Sequence, residues 1–144
     1  MEPTIYLFFK GNCLEAMTHY AEILGGEIKD VFRNADVPDP QYRIPGSDDM
    51  VMNMAMSLGD TLVLASDNTD DMYQKPRGFY VSIAPTSREE FDRLHTALAR
   101  EAESIEMPPE ETFWAERFAM FTDKYGTPWM LNYEGGKAQG GSPA

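Results

Sequence analysis

Thr112-Phe-Trp-Ala-Glu-Arg-Phe-Ala-Met-Phe-Thr-Asp-Lys-Tyr-Gly-Thr-Pro-Trp-Met-Leu-Asn-Tyr133 reads as two β-strands joined by a turn at Asp123-Lys-Tyr-Gly126. The turn ends in glycine, which takes positive φ without steric cost. Seven aromatic side chains fall in this one stretch. A hairpin this aromatic either builds a core or walls a pocket.

Working upstream, Ser87 with Glu90 three positions on predicts a capped helix. Phe91, Leu94 and Leu98 form its apolar face. Gly78–Ala84 before it reads as a strand, and Ser104–Met107 after it as a short one. The same order occurs earlier. Thr4–Phe9 is a strand, and Asn12 with Glu15 resembles a second capping box. Leu14, Met17, Ala21 and Leu24 keep helical spacing until Gly25-Gly26. Glu27–Phe32 is the next strand, Asn34–Asp49 a long loop, and Met50–Leu58 and Thr61–Ser66 a hairpin turning at Gly59-Asp60. Ser87 follows Asn12 by 75 positions, and the strands before them keep that offset. The chain therefore reads as a duplicated strand–helix–strand–strand–strand unit.

Composition sets the outer limits. The 144 residues suit one domain or two fused small modules. A net charge of −12 repels phosphate backbones, so no nucleic-acid partner is expected. No apolar run approaches a membrane span, so no membrane partner is expected either. The N-terminus lacks the basic region of a secretory signal, and a single cysteine, Cys13, excludes an internal disulfide. The expectation is a cytoplasmic protein. Asp67–Pro76 reads as an acidic, turn-rich linker, with Asp67, Asp70 and Asp71 in solvent. Residues 135–144 lack apolar content and read as a flexible tail.

Several stretches resemble one family. They are Tyr6-Leu-Phe-Phe-Lys-Gly-Asn-Cys-Leu-Glu-Ala-Met17, Tyr20, Leu24-Gly-Gly26 and Leu64-Ala-Ser-Asp67, and above all Met107-Pro108, Thr112-Phe-Trp114, Phe118, Asp123, Gly126 and Trp129-Met-Leu-Asn132. Together they are similar to PhnB-like proteins of the vicinal-oxygen-chelate superfamily, which includes glyoxalase I, extradiol dioxygenases, and bleomycin and fosfomycin resistance proteins. The resemblance implies an α+β fold. Two βαβββ modules, residues 3–68 and 77–134, would form a cupped mixed sheet within a single domain, 1–134, usually as a homodimer. Some PhnB-like proteins bear the name of a demethylubiquinone methyltransferase. The sequence has no Gly-rich strand-to-helix turn to cradle a nucleotide-like cofactor, so no such cofactor is expected.

Metalloenzymes of the superfamily take ligands from four strand positions. Carried over, these fall on Ile5 or Tyr6, Val63, Phe79 or Tyr80, and Met130. None is a usual ligand for a divalent metal, so no metal is expected. His19 and His95 lie on the predicted helices and read as surface residues. Cys13, at a helix start without an adjacent base, reads as a structural thiol. Met50, Met52, Met54 and Met56 alternate along one strand, as an adaptable packing face or a soft ligand set.

Alternate strand residues would line the cavity the resemblance implies. Candidates from the first module are Tyr6, Phe8, Met54 and Ser66. The second module adds Tyr80, Ser82, Trp114 and Phe118, then Trp129, Met130 and Asn132. Which strand parity faces inward is open, because a one-residue slip reverses it. Trp114 and Arg117 suit a dimer contact, a cavity rim or core. The expected function is metal-independent binding of a small, partly aromatic molecule. The alternatives are a glyoxalase-like lyase or dioxygenase with a non-standard metal site, and a structural or interaction dimer with a filled cavity.

Overall fold

Ile5–Phe9, apolar and aromatic, forms the first strand, β1, and the helix α1 follows at Cys13–Leu24. The computed structural model describes residues 1–137. Two compact units are present, Met1–Gln74 and a second beginning at Lys75. In the first, α1 is followed by β2 (Glu27–Arg33), β3 (Val51–Leu58) and β4 (Thr61–Asp67). The sheet order is β1-β4-β3-β2, with β1 parallel to β4 and the other pairs antiparallel. The second unit repeats the pattern with β5 (Val81–Ile83), α2 (Arg88–Leu98), β6 (Ser104–Glu110), β7 (Arg117–Thr122) and β8 (Pro128–Tyr133), in the order β5-β8-β7-β6. The fold is α+β, as the duplication predicts.

Element limits differ in places from the expected ones. β5 is shorter because Gly78, at φ +83°, turns the chain before it and the buried Pro85 follows it. β6 is longer and carries Pro108 and Pro109, which an edge strand tolerates because one side of its ladder is free. The long loop after β2 contains two short 3₁₀ turns. The buried Asn34 amide organises it, donating to the carbonyls of Ile44 and Ser47 and accepting the Ile44 N–H. In the quoted hairpin, Thr112–Glu116 is a turn rather than strand, with Thr112 Oγ1 accepting the Ala115 N–H at 3.0 Å. Gly135–Lys137 forms a short 3₁₀ turn where tail was expected, and the rest of that expected tail, 138–144, lies outside the described residues.

One helix covers one face of each sheet. In the first unit Leu7, Phe9, Met54, Met56 and Ala65 are buried on that side, with Cys13, Ala16, Met17 and Tyr20 of α1. The Phe9 and Tyr20 rings lie 6.4 Å apart. Met54 and Met56 are thus packing residues, and Cys13 is sealed in the same core. Burial first, and then the nearby Asp67 charge, push its thiol pKa far up, so it stays protonated. In the second unit Phe91, Leu94 and Leu98 meet Phe121, Trp129 and Leu131.

Two carboxylates close these units: Asp67 departs from the sequence expectation, and Asp123 bonds the backbone of its own turn as a turn aspartate does. Asn12 makes no side-chain cap bond to α1. Asp67, at the end of β4, takes that place. Its Oδ1 accepts the N–H groups of Gly11 and Cys13, and its Oδ2 accepts that of Val51 at 3.0 Å. A charged acceptor delivered by the fold displaces the local amide cap. Asp67 is 7% exposed, so it does not belong to a solvated acidic loop. Asp123 likewise accepts the N–H groups of Tyr125 and Thr127 and, at 2.9 Å, the Trp129 indole N–H. In α2 the expected reciprocal cap is half met: Ser87 Oγ accepts the Glu90 N–H, and Glu90 reaches back to Thr86 rather than Ser87.

His95 is a second correction. It packs inward, 6.1 Å from the Phe91 ring and edge-on to Phe121 at 5.4 Å, with Nε2 buried and without a hydrogen-bond partner among the described residues. Burial and the Arg117 charge lower its pKa, and Asp92 opposes them.

Two outcomes are expected. Asp67→Ala leaves two buried N–H groups and one part-buried N–H group unmet and costs at least about 3 kcal/mol in urea unfolding, and a loss under about 1 kcal/mol would contradict the capping role. For His95, the unfolded chain takes up a proton at pH values where the native imidazole stays neutral. Its stability contribution is full above about pH 6.5 and declines as pH falls toward the lowered native pKa. The urea midpoint should therefore drop less between pH 7 and 5.5 in His95→Leu than in the wild type, and an equal drop would refute the assignment.

Candidate functional site

Strand register decides which side chains share a face, because paired residues of adjacent strands point the same way. Tyr6 pairs with Leu64 and Phe8 with Ser66, and Ala55 pairs with Leu64 across β3 and β4. This is the face opposite α1. The rings of Tyr6 and Phe8 meet there at 4.9 Å and stay 38% and 43% exposed. An exposed aromatic pair on an uncovered sheet face marks a surface suited to a ligand or partner.

The second unit has a corresponding face. Phe118 pairs with Asn132, Met120 with Met130, and Ser82 with Met130. Trp114 projects from the turn before β7 and lies over this face. Its ring is 5.2 Å from Phe118 in an edge contact, and its indole N–H donates to Asn132 Oδ1 at 3.0 Å. Phe113 stacks edge-on against Trp114 at 4.8 Å and is almost wholly exposed. At the other end of the face Tyr80 donates its hydroxyl to Glu106.

Tyr6, Phe8 and Ser66 thus share the uncovered face of the first sheet. Ser82, Phe118, Met130 and Asn132 share that of the second, with Trp114 above it and Tyr80 at its end. Met54 and Trp129 do not join them. Met54 is 0% exposed and Trp129 3% exposed, both on the helix-covered faces, Trp129 held there by Asp123. The sequence left strand parity open, and these two residues face the helices, whereas Ser66, Phe118 and Asn132, although also buried, face the other way. Glu106 was missed because a lone edge-strand glutamate, two positions before Pro108, carries no sequence signal.

The positions where the superfamily's metalloenzymes place ligands can be refined by the same register. Val63 pairs with Ile5 on the helix side, so the uncovered residue of β4 is Leu64, opposite Tyr6. In the second unit it is Met130, opposite Ser82. A phenol, an isobutyl group, a thioether and a hydroxyl do not make a divalent-metal donor set. Among the described residues no three His, Cys, Asp or Glu side chains are grouped to hold a metal ion. Among those residues, too, no helix is long and apolar enough to cross a membrane.

Known proteins share this architecture. A family model described as 3-demethylubiquinone-9 3-methyltransferase matches residues 2–132. The protein YjdN of Escherichia coli K12 is 30% identical over 135 residues, 88% of this chain and 91% of YjdN. The crystal structure of PA1353 from Pseudomonas aeruginosa is 36% identical, with a TM-score of 0.80 over 93% of this chain and 98% of that one. The PhnB protein from Bacillus cereus, at 24% identity, gives 0.76 over 92% and 99%. The fosfomycin resistance protein FosX from Listeria monocytogenes, at 12% identity, shares the fold alone, with a TM-score of 0.60 over 92% and 91%.

Proposed function

Because the chain belongs to the PhnB-like family whose model is described as 3-demethylubiquinone-9 3-methyltransferase, within the glyoxalase/bleomycin resistance/dioxygenase-like fold, we propose that it binds a small, partly aromatic molecule without a metal. The observation that carries this is the uncovered face of each sheet. Charged side chains on these faces stand on the edge strands, Lys29 on β2 and Glu106 and Glu110 on β6, and the remaining strands present aromatic rings, thioethers and a few hydroxyl and amide groups. Such a lining holds planar apolar matter by contact and orients it through few polar bonds.

Methyl transfer is not part of the proposal. The family's description names it, but the turns after β1 and β5, Lys10-Gly-Asn12 and Ala84-Pro-Thr86, lack the glycine-rich form that receives a nucleotide-like cofactor. Lyase or dioxygenase chemistry would need a metal held by residues other than Tyr6, Leu64, Ser82 and Met130. A homodimer and a cytoplasmic location complete the proposal, supported by the family resemblance and by the lone buried cysteine.

Untagged protein taken directly from cells and examined by native mass spectrometry should carry a bound small molecule, with no stoichiometric metal by elemental analysis. Phe8→Ala and Trp114→Ala, both at exposed positions, should each lower occupancy by roughly tenfold. Undiminished occupancy in both folded variants, no bound molecule, or a metal needed for retention would contradict the proposal.

A further inference from the structure

Three hydroxyl groups converge on one carboxylate at the far end of the second sheet's uncovered face. Tyr80 Oη and Thr122 Oγ1 donate to Glu106 Oε1 at 3.1 and 2.9 Å, and Ser104 Oγ donates to Oε2 at 2.8 Å. These residues line a pocket of about 520 Å³ together with Lys75, Arg77 and Phe79.

The proton count gives this wall its chemistry. Each hydroxyl has one hydrogen, and all three are committed to Glu106. The wall therefore turns only oxygen lone pairs toward the pocket, and Oε2, with one bond, keeps spare acceptor capacity. Burial alone would raise the Glu106 pKa, but the bonds from Ser104, Thr122 and Tyr80 outweigh it and hold the carboxyl below its usual range. The group stays anionic at neutral pH.

Charge pairing in the pocket is incomplete. Lys75 is engaged by Glu103. Among the described residues Glu106 has no cationic partner, and Arg77 has neither an ion pair nor a hydrogen bond. One pocket thus holds an anion and a cation that do not pair with each other. Phe79, 44% exposed, adds apolar surface in the same lining.

We infer that this pocket binds a small zwitterion, with its ammonium group on Glu106 and its acidic group on Arg77. An ammonium carries three donors and no acceptor, matching a wall of acceptors. A ligand with only one of the two charges would leave either Glu106 or Arg77 unmatched. The site lies away from the Trp114–Phe118–Asn132 end of the face and does not depend on binding there.

The test is calorimetric titration of the full chain with unbranched ω-amino acids from glycine to 6-aminohexanoate. Butylammonium and butanoate serve as single-charge controls. One chain length should bind at least about tenfold more tightly than either control. Glu106→Gln and Arg77→Gln should each remove most of that advantage, and the amide shifts caused by the ligand should centre on Glu106 and Thr122. The inference is overturned if no length binds, if the controls bind equally well, or if both folded variants keep the wild-type affinity.

Discussion

Each four-stranded sheet has one helix, and one helix can cover one face. Strand alternation turns that limit into a division of labour. Along β1, Leu7 and Phe9 go to the core while Tyr6 and Phe8 are left outside. Along β7, Ala119 and Phe121 go in, and Phe118 and Met120 take the other side. The candidate site therefore follows from register and helix placement. A one-residue slip in either sheet would exchange core and site.

Buried carboxylates hold the ends of this arrangement. Asp67 ties the end of β4 to the start of α1 and to β3 through three N–H bonds. Asp123 ties the β7–β8 turn to Trp129. Each replaces backbone pairing where strands stop and a sheet has no ladder to offer. Both lie near their hairpins or helices in space, but Asp67 reaches Gly11 across 56 positions of sequence, so no local pattern reveals it.

Much of the fold was legible because its signals are local. The β-branched and aromatic runs, the helix stop at Gly25 with φ +77°, and the turns at Gly59 and Gly126 all depend on neighbouring residues. The order of elements then exposed the duplication. The site was legible in part. Tyr6, Phe8, Ser66 and Asn132 could be named from alternation, but Met54 and Trp129 have the same composition signal as residues on the uncovered face. Only pairing across strands separates them. Asn12 and His95 were misread for a related reason. A competing acceptor or aromatic neighbour came from a distant element. Glu106 drew no notice because its meaning lies in three hydroxyl groups brought to it by β6, β7 and the residue just before β5.

The two tryptophans stand on opposite sides of this division, 15 positions apart in one hairpin. Trp114 lies over the uncovered face, and Trp129 is enclosed beneath the other. Acrylamide quenching of Trp114→Phe and Trp129→Phe, each with one indole left, tests the division most directly. The account predicts strong quenching in Trp129→Phe, which keeps Trp114, and shielding in Trp114→Phe, which keeps Trp129. Equal quenching in the two folded variants, or the reverse order, would contradict it.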